Sequence, residues 1–334
     1  MLKPFLTTGI GSLPYESAEE ACRVILDIFD IPFWPQLPRL SFNELMIPQY
    51  SEGMPFVRID NERRAVWIEK NGSDELDRFY ENWTEKSRIA ISEDYAAGLH
   101  TFLNLIKSRR LTHVKGHITG PLTFTLGLKD KDGKAVYFDE ELRQISLMLL
   151  QAKLRWQIDV LKQYADTVVI FVDEPILSAL GTSGYIGVSN EEALRLLQDT
   201  VEAIGLAGGI SGIHCCGNAD WPLVMKSGTN VVSFDAYDYI DTLVIYPEEL
   251  RQFLDKGGML AWGIVPTSES IHDEDPESIK IRFDRSMATV TKIIPESLVY
   301  DRTLLTPSCG TGSLAMDEAL KVFQLLMTLK EEYS

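Results

Sequence analysis

The sequence contains no apolar run of the roughly 18 residues that a membrane-spanning helix needs. Its 334 residues include only four cysteines, too few for a disulfide framework in a chain of this length. The first residues lack the long apolar stretch of a secretory signal. We therefore expect a cytosolic protein without a membrane span, in a reducing setting where clustered cysteine and histidine indicate metal binding or catalysis.

Basic residues are also scarce, since 32 lysines and arginines face 49 acidic residues and give a net charge of −17. No stripe rich in lysine or arginine is visible, and the negative field disfavours nucleic acid and anionic membranes as partners. A hydrophobic content of 45% is sufficient for a large core. No linker or shift of composition divides the chain, so we predict a single domain over residues 1–334.

Strand-like segments alternate with helical patterns along most of the chain, which predicts a parallel sheet covered by helices. The predicted strands are 5–10, 114–119, 167–172, 210–216, 230–234, 259–265 and 303–307. The proline-rich stretch 31–72 has the composition of an irregular loop, with room for one more strand. The pattern favours an α/β fold of the (β/α)8 TIM-barrel type with an irregular N-terminal loop, and a doubly wound sheet is the alternative.

Two residues of one predicted strand and a third from a distant loop form the main candidate site. His214 and Cys216 project to the same side of an extended segment, whereas Cys215 points to the other side. With Cys309 they could supply three ligands of a zinc ion. Asp235 follows the next strand and is either a fourth ligand or a helix cap. A catalytic zinc, a structural zinc and a metal-free cluster all remain open at this point.

A zinc site with an open position could hold a substrate thiol as a nucleophilic thiolate. Hydrolysis by a zinc-bound water is the competing chemistry, although no His-Glu-x-x-His helix is present. The turn at Gly11 and Ser12 could bind a small carboxylate through its N–H groups, or be a plain tight turn. Glu52 and Asp173 could clamp an ammonium group, or be ordinary charged residues. His117, at a strand end, is a further residue of interest.

Five motifs occur in order along nearly the whole chain. They are Thr-Thr-Gly-Ile-Gly-Ser-Leu-Pro (7–14), Val-Lys-Gly-His-Ile-Thr-Gly-Pro-Leu-Thr (114–123), Val-Asp-Glu-Pro (172–175), His-Cys-Cys-Gly-Asn (214–218) and Pro-Ser-Cys-Gly (307–310). Together they resemble the C-terminal catalytic barrel of cobalamin-independent methionine synthase. The wider superfamily includes uroporphyrinogen decarboxylase and zinc-dependent methylcobalamin:thiol methyltransferases. The resemblance implies a stand-alone version of that barrel.

The resemblance also implies roles for individual residues. It implies zinc bound by His214, Cys216 and Cys309, with homocysteine as the thiol substrate. Asp235 falls where the family has a glutamate ligand that is one methylene longer. Four residues would bind the amino-acid end of homocysteine. Gly11 and Ser12 would bind its carboxylate, and Asp173 and Glu52 would contact its ammonium group. No catalytic residue beyond the zinc-activated thiol is implied.

The departures from the family concern the methyl donor. Gly127 stands where the folate-using enzymes have a pterin-stacking tryptophan, and Ala179 stands where they have a folate-binding glutamate. Their proton-donating histidine is replaced around 266–268. Because cob(I)alamin leaves without a proton, these losses favour methylcobalamin, with a corrinoid or corrinoid protein as partner. The alternatives are methyl transfer to another thiol such as coenzyme M, uroporphyrinogen decarboxylation, and a non-catalytic module that carries a corrinoid or metal.

Overall fold

In the computed structural model, which describes residues 2–72, 74–81 and 83–333, a sheet of six parallel strands is built in chain order. These strands are β3 (Leu111–Thr119), β4 (Ala165–Asp173), β5 (Ile210–Cys215), β6 (Val231–Phe234), β7 (Met259–Val265) and β8 (Thr303–Pro307). Each strand pairs with the next one along the chain, and helical segments connect them. The six corresponding strands predicted from the sequence are therefore confirmed, and so is their parallel arrangement.

Two short strands form a hairpin that the sequence analysis did not predict. β1 (Val57–Asp60) and β2 (Ala65–Ile68) pair antiparallel within the stretch that was interpreted as irregular. Each has only four residues, and all four residues of β1 and three of the four residues of β2 are half-buried. The alternation of buried and exposed residues that normally identifies a strand is therefore missing.

The described part of the chain forms thirteen α-helices, and several of them pack against the sheet. They are α1 (Ala18–Ile28), α2 (Met46–Ser51), α3 (Asp74–Glu81), α4 (Ala97–Ile106), α5 (Pro121–Gly127), α6 (Glu140–Lys162), α7 (Asn190–Leu206), α8 (Trp221–Lys226), α9 (Ala236–Leu243), α10 (Pro247–Asp255), α11 (Pro276–Thr291), α12 (Glu296–Asp301) and α13 (Met316–Tyr333). The hydroxyls of Ser17 and Ser189 accept the N–H of Glu20 and Glu192 and so cap the N-termini of α1 and α7. In the described ranges, no helix combines the length and apolar character needed to cross a bilayer.

Extended N-terminal segments lie between the two edges of the sheet. Thr7 forms a parallel bridge with Leu305 of β8, and its carbonyl accepts the N–H of Ile31. One residue further on, the carbonyl of Pro32 accepts the N–H of Lys115 on β3. The predicted strand 5–10 is therefore extended chain with isolated bridges rather than a regular strand. One physical reason is that Phe5 has a positive φ of 59°, which departs from the extended backbone of a strand.

Apolar residues fill both faces of the sheet. On β4, Val168 and Ile170 belong to the large cluster that packs beneath the helices, whereas Val169 and Phe171 belong to a separate small cluster. That inner cluster also contains residues of β6, β7, β8 and the N-terminal segments. Because side chains alternate along a strand, Asp173 lies on the same face as Phe171, two residues nearer the carboxyl end. The inner face therefore changes from apolar to polar where the strands end.

The carboxylate of Glu44 connects the N-terminal loop to α4. Its oxygens accept the N–H of Leu37 at 2.6 Å and the N–H of Ala97, the first residue of α4, at 3.0 Å. Glu44 is only 1% exposed, and burial raises its pKa to about 7. The side chain thus caps a helix that has no capping side chain at its own N-cap residue, Ala96.

The Glu44→Gln variant is expected to change how stability depends on pH. Because the pKa rises from 4.5 in the unfolded chain to about 7 in the fold, protonation favours the folded state, and this contribution is lost as pH rises from 4.5 to 7. For a shift of this size the loss is about 3 kcal/mol. Thermal unfolding at pH 5 and pH 7.5 should show a smaller decline in Tm for the variant than for wild type. The exposed Glu93→Gln is the control, and equal slopes for both variants would contradict the assignment.

Candidate metal and substrate site

The candidate residues of the site collect at the carboxyl ends of the strands, as predicted. Asp173 is the last residue of β4, and it pairs in register with His214 on β5. Cys216 follows β5 directly, and Asp235 follows β6. Cys309 comes two residues after the end of β8. Loops at this end of a parallel sheet are where active sites of such folds assemble.

His214, Cys216 and Cys309 form one cluster. One imidazole nitrogen and the two sulfurs lie within 4.8 Å of one another, close enough for the three atoms to bind a single ion. Two sulfurs and a nitrogen are a ligand set that zinc prefers. Cys215 is buried and its thiol donates to the Gly217 carbonyl at 3.7 Å, so it points away from the cluster as predicted.

The two nitrogens of His214 differ in their surroundings. Nδ1 lies 2.9 Å from the hydroxyl of Ser233, on the neighbouring strand β6. Nε2 is buried and has no hydrogen-bond partner among the described residues. A buried nitrogen without a partner costs free energy unless a ligand or water satisfies it. Hydrogen bonding through Nδ1 leaves Nε2 available as a metal ligand, which is the usual arrangement at such sites.

The two thiols of the cluster have opposite pKa shifts. The neighbouring thiol of Cys309, which donates to the sulfur of Cys216, and the nearby imidazole of His214 lower the pKa of Cys216 to about 4, so this residue is a thiolate at neutral pH. The hydrogen bond that Cys309 makes to Cys216 raises the pKa of Cys309 well above its usual value, and burial and the negative charge of Cys216 act in the same direction. A cation in the cluster would stabilise both residues as thiolates, so the donor set fits a zinc ion.

Asp235 lies near the cluster but outside the group of three. Its carboxylate accepts the N–H of Asp238 at 3.0 Å and caps α9. Burial raises its pKa to about 6, and the charge of Cys216 contributes to the increase. The side chain therefore acts as a helix cap in this structure, and its role as the fourth ligand stays a prediction.

The adjacent acidic residues Asp173 and Glu174 point to opposite faces of the sheet. Oδ1 of Asp173 is buried and has no partner in the described part of the chain. Burial raises the pKa of Asp173 to about 6, and His214 and Lys115 oppose the increase. The next residue, Glu174, points to the helical layer, where its carboxylate accepts the N–H groups of Leu122 and Thr123 at the start of α5.

The backbone at Gly11 and Ser12 packs tightly against the loop that carries Cys309. The Ser12 carbonyl accepts the N–H of Thr311 at 2.8 Å, and the Gly11 carbonyl accepts the N–H of Gln36. An added Cβ at Gly310 would lie 2.1 Å from Oγ of Ser12, so a larger residue there would displace the Ser12 hydroxyl. The N–H groups of Gly11 and Ser12 have no partner within the described ranges, which suits the predicted role in binding a carboxylate.

Glu52 has protein partners of its own. It accepts the N–H of Ser92 at 2.9 Å and lies 3.5 Å from the ammonium of Lys153, which is fully buried on α6. Burial lowers the pKa of that lysine to about 8, and Glu52 opposes the decrease. The interactions of Glu52 thus connect α2 to α6, and its contact with a substrate ammonium group stays a prediction.

The sequence analysis did not assign a role to the inner face of β3. Lys115 is fully buried, donates to the Ile10 carbonyl at 2.6 Å and lies 4.7 Å from the centre of the Phe171 ring. Burial lowers its pKa to about 7. His117 lies two residues further along the strand and is also buried. The signal that could have found them is the alternation of polar residues at 115, 117 and 119 within an otherwise apolar strand.

Comparison with solved structures supports the fold predicted from the motifs. The structure is similar to a B12-independent methionine synthase from Shewanella sp. W3-18-1, solved with selenomethionine, at a TM-score of 0.59 and 14% identity, covering 98% of this chain and 97% of that one. It is also similar to a protein from Listeria monocytogenes assigned as a vitamin-B12-independent methionine synthase, at a TM-score of 0.58 and 14% identity, covering 99% and 98%. No family model and no curated protein matches the sequence. The resemblance is therefore confirmed for the fold over the full length of the chain.

Proposed function

We propose that this protein is a zinc-dependent methyltransferase that transfers a methyl group to the thiol of homocysteine and so forms methionine. The observation that carries the proposal is the cluster of His214, Cys216 and Cys309, whose candidate ligand atoms lie within 4.8 Å of one another. Asp173 is paired in register with His214, and its Oδ1 has no partner among the described residues. The full-length similarity in fold to two methionine synthase structures supports the same reaction class.

The residues of the site suit an amino-acid thiol. Zinc held by the three ligands, with Asp235 as a fourth, would supply the positive charge that keeps a substrate thiol deprotonated near neutral pH. Asp173 would pair with the substrate ammonium group through its free Oδ1. The N–H groups of Gly11 and Ser12 would bind the carboxylate. These contacts fix the sulfur for in-line attack on a methyl group.

We infer that the six strands and the two N-terminal segments together close an eight-stranded barrel. Backbone hydrogen bonds join residues 5–8 to Thr303 and Leu305, and the N–H groups of Ile31 and Lys115 donate to the carbonyls of Thr7 and Pro32, so that one edge of the sheet is connected to the other. Such a ring would bring Gly11 and Ser12 to the same end of the barrel as Asp173 and Cys309. The barrel is a single unit over residues 1–334 in this interpretation.

We propose methylcobalamin, free or on a corrinoid protein, as the methyl donor. Proton donation to a folate leaving group would need an acid near the thiol. After β7, Thr267 instead hydrogen-bonds Ser308, and His272 lies 2.9 Å from Glu318 on the exposed surface. Transfer from methylcobalamin breaks the carbon–cobalt bond, leaves its electron pair on cobalt and releases only the thiol proton. The names of the two similar structures describe B12-independent enzymes, which weighs against this donor.

A donor assay tests both parts of the proposal. Purified zinc-loaded protein is incubated with homocysteine and either methylcobalamin or methyltetrahydrofolate, and methionine is quantified by mass spectrometry. With methylcobalamin, we expect methionine to form at least about 100-fold faster in the presence of the protein than in its absence. With methyltetrahydrofolate, we expect little methionine. Equal rates with the folate would overturn the donor. Methyl transfer to coenzyme M but not to homocysteine would overturn the substrate, and no transfer to either thiol would favour a carrier module.

A further inference from the structure

His117 has two polar atoms that nothing in the described structure satisfies. The residue is 1% exposed, and both Nδ1 and Nε2 are buried without a hydrogen-bond partner among the described residues. A neutral imidazole carries one donor and one acceptor, so both would remain unpaired. Leaving such groups unpaired in a protein interior is costly, and this cost indicates that a ligand or an ordered water contacts the ring.

The position of the His117 ring is fixed from two sides. It stacks on the indole of Trp34 with ring centres 3.8 Å apart, and the indole N–H donates to Gln157 at 2.9 Å. The same Gln157 donates to the backbone carbonyl of His117 at 3.0 Å, and the hydroxyl of Tyr50 donates to that carbonyl at 2.7 Å. The imidazole is therefore held in place by contacts that leave its nitrogens free.

The free edge of the His117 ring faces the predicted carboxylate-binding turn. A Cβ built on Gly11 would lie 3.1 Å from Nδ1 and 3.2 Å from Cε1 of His117. On the inner face of the sheet, His117 is level with Phe171, one layer below Asp173 and His214. The ring therefore lies next to Gly11 and one layer below Asp173, the proposed contact of the substrate ammonium group. It borders the space in which the substrate carboxylate would bind.

The charge state of the ring is also defined. Burial lowers the pKa of His117 well below its usual value, and the nearby Lys115 acts in the same direction. The imidazole is thus neutral at physiological pH and offers one N–H. It would not compete with the substrate ammonium for Asp173, as a second cation would.

We propose that His117 is a specificity residue that donates a ring N–H to the carboxylate of the amino-acid thiol, together with the N–H groups of Gly11 and Ser12. This inference rests on the proposed function, because it assumes that a thiol with a carboxylate enters the site. Glycine at position 11 favours this contact, since the Cβ of any other residue would lie 3.1 Å from Nδ1 of the ring and crowd it.

The test uses three thiols that differ by one group each. They are homocysteine, 3-aminopropane-1-thiol, which lacks the carboxylate, and 4-sulfanylbutanoate, which lacks the amine. Their binding to zinc-loaded protein is measured by titration calorimetry for wild type and for His117→Phe, which keeps the ring stack on Trp34. His113→Phe is the matched control, because it places the same substitution on the same strand four residues away from the site.

We expect His117→Phe to weaken homocysteine and 4-sulfanylbutanoate roughly 10- to 100-fold, as for a lost hydrogen bond to a charged group, and 3-aminopropane-1-thiol less than about twofold. His117→Gln, which keeps an N–H donor, should recover part of the affinity, and its zinc content and Tm show whether the fold is intact. Equal loss for all three thiols, or no loss for any, would overturn the role of His117. If wild type binds none of the three thiols, the proposed function itself is wrong.

Discussion

Replacing Cys309 with serine is expected to remove most of the bound zinc and to slow methyl transfer by about 10³-fold or more. The thiol is one of the three candidate ligands whose donor atoms lie within 4.8 Å. Serine keeps the size of the side chain, but its hydroxyl is a poor zinc ligand at neutral pH. With His214 and Cys216 alone, the ion would lose a charged sulfur ligand, so its affinity should fall steeply.

The measurement is zinc content by elemental analysis after dialysis against a mild chelator, followed by the methyl-transfer assay. Cys215→Ser is the matched control. The Cys215 thiol lies on the face of β5 opposite to His214, and it donates to the Gly217 carbonyl. We expect the control to retain its zinc. Full zinc occupancy in Cys309→Ser would exclude Cys309 from the ligand set.

Replacing Asp173 with asparagine is expected to raise the KM for homocysteine by roughly 10- to 100-fold while the zinc content stays unchanged. Oδ1 of Asp173 is buried without a partner in the described structure, next to His214 in the sheet register. An ammonium group would pair with this carboxylate, and the neutral amide cannot supply the charge. The thiol without an amine, 4-sulfanylbutanoate, should bind both proteins equally.

Asp166→Asn is the control for this substitution. Asp166 lies near the start of the same strand, where it forms an exposed ion pair with Arg110 at 2.8 Å. The control should leave KM unchanged. A KM within twofold of wild type for Asp173→Asn, or a loss of zinc from that variant, would show that Asp173 does not bind the ammonium group directly.

Much of the site could be predicted because it depends on local geometry. The period-two alternation of a strand places His214 and Cys216 on one side and Cys215 on the other. The parallel topology then brings Cys309, which follows β8, to the same carboxyl end of the sheet as the end of β5. Asp173 was placed correctly at this end for the same reason, and the serine caps of α1 and α7 follow from short-range hydrogen bonds.

The parts that could not be predicted depend on contacts between distant segments. Glu52 and Lys153 are about a hundred positions apart in the sequence, and nothing in the local pattern predicts that they pair. The role of Asp235 as a cap depends on the exact start of α9. The orphaned nitrogens of His117 become visible only when Trp34 and Gln157 are seen to fix the ring.

The close packing of Ser12 against Gly310 and Thr311 joins two segments that lie almost three hundred positions apart in the sequence. A shift of Cys309 on release of the proposed zinc ion would be transmitted to Ser12 through the hydrogen bond from Thr311. Zinc and the amino-acid thiol should therefore bind cooperatively, each increasing the affinity of the other by the same factor. Loss of the metal would then impair recognition of the far end of the substrate as well as activation of its sulfur.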